Sequence, residues 1–224
     1  MPRIFHSISG RWLAIVGASF AAILVAAHLV SSPLSRFLGS DVVMRADQAA
    51  RRFAQAHDNP TLSAGMRLVS DMHGTAGILV LAAGCAWVWK RRGHRDACLR
   101  LLIAVPGGML LNFLVKLAFH RVRPDWAIVD LPASYSFPSG HVAEATVFYG
   151  SLALEAAASG TGRLRRAAVA LGAAAMIALV ASSRIVLGVH FLSDCVGAVV
   201  EAGLWLAACF SRRPSNAAGA DGGA

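Results

Sequence analysis

"ILVLAAGCAWVWKRRGHRDACLRLLIAVPGGMLL", residues 78–111, decides the fold. Two apolar runs flank a short insert that carries Lys90, Arg91, Arg92, Arg95 and Arg100. In a soluble amphipathic helix the apolar residues recur every three or four positions; here they stand in blocks. About 20 apolar residues in a helix cross the ~30 Å of a bilayer's hydrocarbon, and a helix satisfies its own backbone polar groups there. The stretch therefore reads as the end of one spanning helix, a basic loop, and the start of the next.

Working outward, six such blocks are expected at 12–30, 68–89, 99–119, 142–158, 167–187 and 189–210. The composition agrees. Of 224 residues 56% are hydrophobic and only 15% charged, against roughly a quarter charged in a soluble domain. Mean hydropathy is +0.58. The blocks do not alternate polar and apolar residues, which excludes the strands of a membrane barrel. The net charge of +9 does not imply nucleic acid, because much of it lies in short clusters between the blocks, with no separate basic domain. Cys85, Cys98, Cys195 and Cys209 have no metal-type spacing and read as small core residues.

The basic clusters also orient the helices. Arg3 and Arg11 precede the first block, "TGRLRRA" (161–167) separates the fourth and fifth, and Arg212 and Arg213 follow the sixth. With six spans these clusters and the 90–100 insert fall on one side, which the positive-inside rule makes cytoplasmic. Both termini are then cytoplasmic, and an uncleaved first helix is favoured over a signal peptide. The opposite side carries residues 31–67, where Val42, Ala46, Ala49, Ala50 and Phe53 form a helical stripe. A short amphipathic helix is expected there, on the membrane surface or capping the bundle. The expected fold is thus all-α: a six-transmembrane helical bundle over 1–210, with a Gly- and Ala-rich disordered tail over 211–224.

Ionisable groups in or beside spans are costly and are functional candidates by default. Three clusters fall at the outer ends of their helices. In "KLAFHRVRP" (116–124), Lys116, His120 and Arg123 would share a helix face, and Pro124 would end the helix at Arg123. In "YSFPSGHVAE" (135–144), Ser136 and Ser139 are good caps, Gly140 permits close approach, and the helix starting near His141 offers free N–H groups to an anion. In "SRIVLGVHFLSD" (183–194), His190 and Asp194 are one helical turn apart, so the carboxylate can fix one imidazole nitrogen as N–H and leave the other a lone pair. Arg184 precedes a break at Gly188 and can turn back to the same place. Taken singly, each cluster has a plain alternative: snorkelling side chains, an ordinary capped helix, a buried ion pair. Together they supply three cations, a helix N-terminus and two histidines on one side, which describes a phosphate pocket with an acid and a nucleophile.

In this order and spacing the three elements resemble the signature of the type-2 phosphatidic acid phosphatase superfamily, and the span layout resembles its membrane-bound lipid phosphatases. The resemblance implies that His190 attacks phosphorus and becomes a phosphohistidine. Asp194 would orient it and His141 would protonate the leaving oxygen. Lys116, Arg123, Arg184, Ser139 and the Gly140 backbone would hold the phosphoryl oxygens. His120 and Glu144 are added from helical spacing alone, as neighbours of the phosphate and of His141. No carboxylate cluster suited to a metal is visible, so a metal-independent reaction without cofactor is expected. The partner would be a membrane lipid phosphate: undecaprenyl diphosphate, phosphatidate, phosphatidylglycerol phosphate or phosphorylated lipid A. The site would face the periplasm or exterior of a cell membrane. A phosphotransferase of the same fold is the alternative. A non-catalytic anion transporter is the rival of another class; it requires polar residues through the bundle, whose middle reads as apolar. A haloperoxidase would be soluble, and the spans argue against it.

Overall fold

The computed structural model describes residues 9–131, 133–159 and 162–211. Arg3, Arg212, Arg213 and nearly all of the expected tail lie outside the described residues. Within them every regular element is an α-helix: α1 (Gly10–Leu38), α2 (Asp41–Ala56), α3 (Pro60–Met72), α4 (Thr75–Arg91), α5 (Arg95–Phe119), α6 (Gly140–Ala158), α7 (Arg163–Val186) and α8 (Leu192–Cys209).

Four of these, α1, α5, α7 and α8, are long and apolar enough to cross a membrane. Large apolar side chains stand exposed along them, including Leu29, Phe113, Leu171 and Val200. The expected second span, 68–89, is not one helix. It is broken at His73 and Gly74, and α3 and α4 meet at 57°; the pair makes a fifth span only if both halves cross together. The break has a local cause. Gly74 caps α4 with extended backbone, and the His73 ring bonds back to the Val69 carbonyl (2.8 Å) and across to the Tyr149 hydroxyl (2.8 Å). α6 covers the residues of the expected fourth span but is not among the helices long and apolar enough to cross; it is a central helix. It packs on α4, α5, α7 and α8, so it has little need of the apolar surface that lipid demands.

α2 occupies the stretch where a surface helix was expected, with a division of faces that the apolar stripe did not indicate. Val42 and Phe53 are exposed, whereas Asp47 and Ala54 are buried against the bundle. The bundle interior is also less apolar than the sequence suggests. Asn112 Nδ2 on α5 donates to Glu201 Oε2 on α8 (2.8 Å), and Arg100 Nε on α5 donates to Glu155 Oε1 on α6 (2.7 Å). These pairs tie helices together where lipid offers no hydrophobic drive for association. Trp205 adds an Nε1–H donated to the Ala104 carbonyl (2.8 Å).

Candidate active site

All three motif segments meet at one end of the bundle. From α5, Lys116 Nζ donates to the carbonyls of Tyr135 (2.9 Å) and Pro138 (2.6 Å), which pins the 135–138 segment over the helix end. The helix does not run on to Arg123 as expected. It ends at Phe119, where His120 turns left-handed (φ 51°) and its N–H returns to the Lys116 carbonyl (3.3 Å). Lys116 and Arg123 therefore share no helix face; the loop carries Arg123 to the site. Its Nε and Nη2 donate to the Ser134 carbonyl (2.8 Å) and hydroxyl (2.9 Å), and Nη1 to the Val189 carbonyl (2.9 Å). The His120 ring lies exposed, edge-on to Tyr135 with centroids 4.5 Å apart.

Ser139 and Gly140 begin α6. The Ser139 N–H donates to the Asp194 carbonyl (3.1 Å), but its hydroxyl makes no cap; it is fully buried and has no partner. Ser136, the other expected cap, instead donates its hydroxyl to the Asp194 carboxylate. A Cβ built on Gly140 would stand 3.5 Å from Asn112 Oδ1 and 3.9 Å from Lys116 Cε, so the start of α6 lies directly over α5. Its first-turn N–H groups lack intrahelical acceptors, as at any helix start. His141 sits at this turn with Nε2 beside the α3–α4 break, 3.5 Å from where a Gly74 Cβ would be. The cations that act on it are Arg184, Arg123 and Lys116. Glu144 Oε1, one turn on, accepts from Thr75 Oγ1 of α4 (2.9 Å), while Oε2 is buried without a partner.

Arg184 lies in the last turn of α7, 5% exposed. Its Nη1 donates to Ser70 of α3, and its Nε has no partner. Beyond Val186 the chain reverses at Gly188 (φ 71°). Glycine is required there twice over: the backbone is left-handed, and a Cβ would stand 2.6 Å from the Trp126 carbonyl oxygen. The turn brings the N–H groups of Val189 (3.1 Å) and His190 (3.3 Å) onto the Arg184 carbonyl. His190 thus precedes α8 instead of lying on it, because Phe191, extended, is the N-cap.

The His190–Asp194 pairing survives this change. Nδ1 is 3.3 Å from Asp194 Oδ2, and Nε2 is 3.2 Å from Arg123 Nη1. A guanidinium only donates, so Nε2 accepts and the ring proton sits on Nδ1, facing the carboxylate. Burial pushes the His190 pKa down to about 4, with Arg123 and Lys116 adding to the effect and Asp194 opposing it. The ring is neutral near pH 7, with an Nε2 lone pair among cations.

Asp194 has further partners that the sequence reading missed. It accepts from Arg121 Nη1 (2.6 Å) and from the Phe191 N–H (2.9 Å). Arg121 also donates to Asp47 of α2 (3.0 Å), and Asp47 accepts from the N–H (2.8 Å) and hydroxyl (2.7 Å) of Ser193. Arg121 stood in the quoted motif two residues before Arg123 and was the available signal; nothing in the sequence links position 47 to 121 or 193. A cavity of about 400 Å³ lies on the far side of Arg121, between α1, α2 and the 119–126 segment. Its lining includes Asp47, Arg121, Trp126 and Phe191 but none of the expected phosphate-binding residues.

The sequence matches the PAP2 superfamily over residues 97–217. It is similar to phosphatidylglycerophosphatase B of Bacillus subtilis (strain 168), with 30% identity over 167 residues, covering 73% of this chain and 81% of that protein. In structure it resembles a crystal structure of a transmembrane PAP2-type phosphatidylglycerolphosphate phosphatase from Bacillus subtilis. The TM-score is 0.67 and the identity 28%, with 83% of this chain and 93% of the other covered. The apolar helices, the three motif segments gathered at one bundle end and both likenesses agree: the chain is a multi-pass membrane protein and belongs to the PAP2 superfamily.

Proposed function

We propose that the protein is a lipid phosphatase that hydrolyses phosphatidylglycerol phosphate or a related lipid phosphate through a phosphohistidine at His190. The observation that carries this reading is the His190 ring: its proton faces Asp194, and its Nε2 lone pair points at Arg123. Phosphoryl transfer asks a protein mainly to position the groups and to offset charge on the equatorial oxygens. Lys116, Arg123 and Arg184 supply three cations, with the Ser139 hydroxyl and the first-turn N–H groups of α6 as further donors. Nε2 bonds to phosphorus as the ester or anhydride P–O bond breaks. His141 gives its proton to the leaving oxygen, then takes one from the water that cleaves the N–P bond and releases phosphate. Asp194 holds Nδ1–H throughout. Glu144, bonded to Thr75, positions the turn that bears His141.

In this reading the chain is one membrane domain crossing six times. α3–α4 forms a single bent span and α6 a central one, both termini are cytoplasmic, and the site lies at headgroup depth on the outer face. The exposed Val42 and Phe53 of α2 would then lie in the interface. The named relative favours phosphatidylglycerol phosphate over undecaprenyl diphosphate and phosphatidate. The cations stand where a metal would otherwise offset charge, so the reaction needs none.

The test is phosphate release by purified protein in detergent micelles containing each lipid phosphate in turn, with and without a chelator. Release that persists with chelator and disappears in His190→Ala is expected. Loss of release on chelation would refute metal independence, and release by His190→Ala would refute the nucleophile. Transfer of the phosphoryl group to a second lipid, in place of free phosphate, would identify the phosphotransferase alternative.

A further inference from the structure

α2 reaches the site through one buried acid. Asp47 is 5% exposed and points away from the exposed Val42 and Phe53, into the bundle. It accepts three hydrogen bonds, from Arg121 Nη2, the Ser193 N–H and the Ser193 hydroxyl. Arg121 Nη1 in turn donates to Ser193 Oγ (2.7 Å) and Asp194 Oδ1 (2.6 Å). The guanidinium, lying 4.3 Å over the Phe191 ring, is therefore clamped between two carboxylates. One of them is the carboxylate that fixes His190.

We propose that Asp47 is a positioning residue for the phosphoryl-transfer reaction: it fixes Arg121 and the first turn of α8, and through them the Asp194–His190 pair. The inference rests on the phosphatase reading above. The physical reason is balance. Arg121 alone could swing its fork or draw Asp194 toward itself, and the Nδ1···Oδ2 contact, at 3.3 Å, is the longest that Asp194 makes. A second carboxylate on the opposite edge holds the guanidinium flat, so that both Asp194 oxygens keep their assigned donors. Asp47 touches neither His190 nor any residue placed around the phosphate, so its effect falls on turnover and not on substrate affinity.

The experiment compares wild type, Asp47→Asn, Arg121→Gln, the double variant and His190→Ala on phosphatidylglycerol phosphate micelles, with a melting curve for each. Asp47→Asn should lower kcat about 10- to 100-fold, as loss of a residue orienting a catalytic group does, with KM within about twofold. Because the two residues act as one unit, the double variant should be no slower than the slower single one. A folded Asp47→Asn protein with wild-type kcat, or one whose loss lies in KM, overturns the proposal. If Asp47→Asn does not yield folded protein, Ser193→Ala decides: a kcat lowered about threefold or more at constant KM supports it, and an unchanged kcat overturns it. An inactive wild type, or an active His190→Ala, would instead refute the phosphatase reading.

Discussion

Asp194 and Glu201 lie on the same helix, seven residues and so about 10 Å apart, and both are buried in the bundle. Asp194 accepts from five donors: Arg121, Ser136, the Phe191 N–H, the His190 ring and, at its backbone carbonyl, the Ser139 N–H. Glu201 accepts from Asn112 alone, and its second oxygen has no partner. Two carboxylates on one face of one helix thus live in different surroundings. The difference lies in what converges on them. Two loops and a helix start meet at the first turn of α8, each with donors to place, whereas two turns further along the helix the neighbouring α5 side chain supplies the hydrogen bond. At Asp194 the cost of burying a charge is offset by the several donors that converge on it.

The sharpest way to break this contrast is to neutralise Asp194. Asp194→Asn puts an NH2 donor in place of one of the two oxygens that four donors share, so Nδ1–H and Arg121 cannot both keep an acceptor and the other His190 tautomer is freed; phosphate release should fall about 10³- to 10⁴-fold, measured as kcat on micellar lipid phosphate. Arg123→Lys tests the cation that bonds His190 Nε2. A lysine cannot bridge Ser134, Val189 and His190 at once, and a loss of about 10²- to 10³-fold in kcat/KM is expected. The pH profile probes the same cluster more gently. With the His190 pKa pushed down to about 4 by burial, Nε2 becomes protonated only as the pH falls through that value. Its acid limb should therefore lie near pH 4; a limb near the ordinary imidazole value of ~6.5 would refute a buried, neutral His190. The smallest effect belongs to Glu201→Gln, which keeps an acceptor for Asn112. It should change kcat by less than about threefold and shift stability by under about 1 kcal/mol, read from the melting transition. A large loss of activity there would erase the distinction between the two carboxylates.

What was legible in the sequence followed from how locally it was written. His190 and Asp194 stayed paired although His190 is not helical, because a four-residue offset across a helix start leaves a side chain and its N3 acceptor within reach. Lys116 and Arg123 were identified as partners on a wrong premise: the shared helix face does not exist, and the left-handed His120 and the loop bring them together. The broken 68–89 helix was hidden because one glycine between apolar runs does not distinguish a break from a tolerated helical position. Asp47, Ser70 and Thr75 were invisible because their partners, Arg121, Arg184 and Glu144, lie 69 to 114 residues away and meet them only in the folded chain.

The Gly188 reversal and the five donors gathered by Asp194 carry one consequence for biogenesis. Membrane chains emerge N-terminus first. In a chain grown only through α7, Ser136, Arg121 and the Ser139 N–H would have no Asp194 to meet. That end of the bundle is consequently finished only when residues 190–194 fold back onto it, so the activity proposed above requires α8 to be in place.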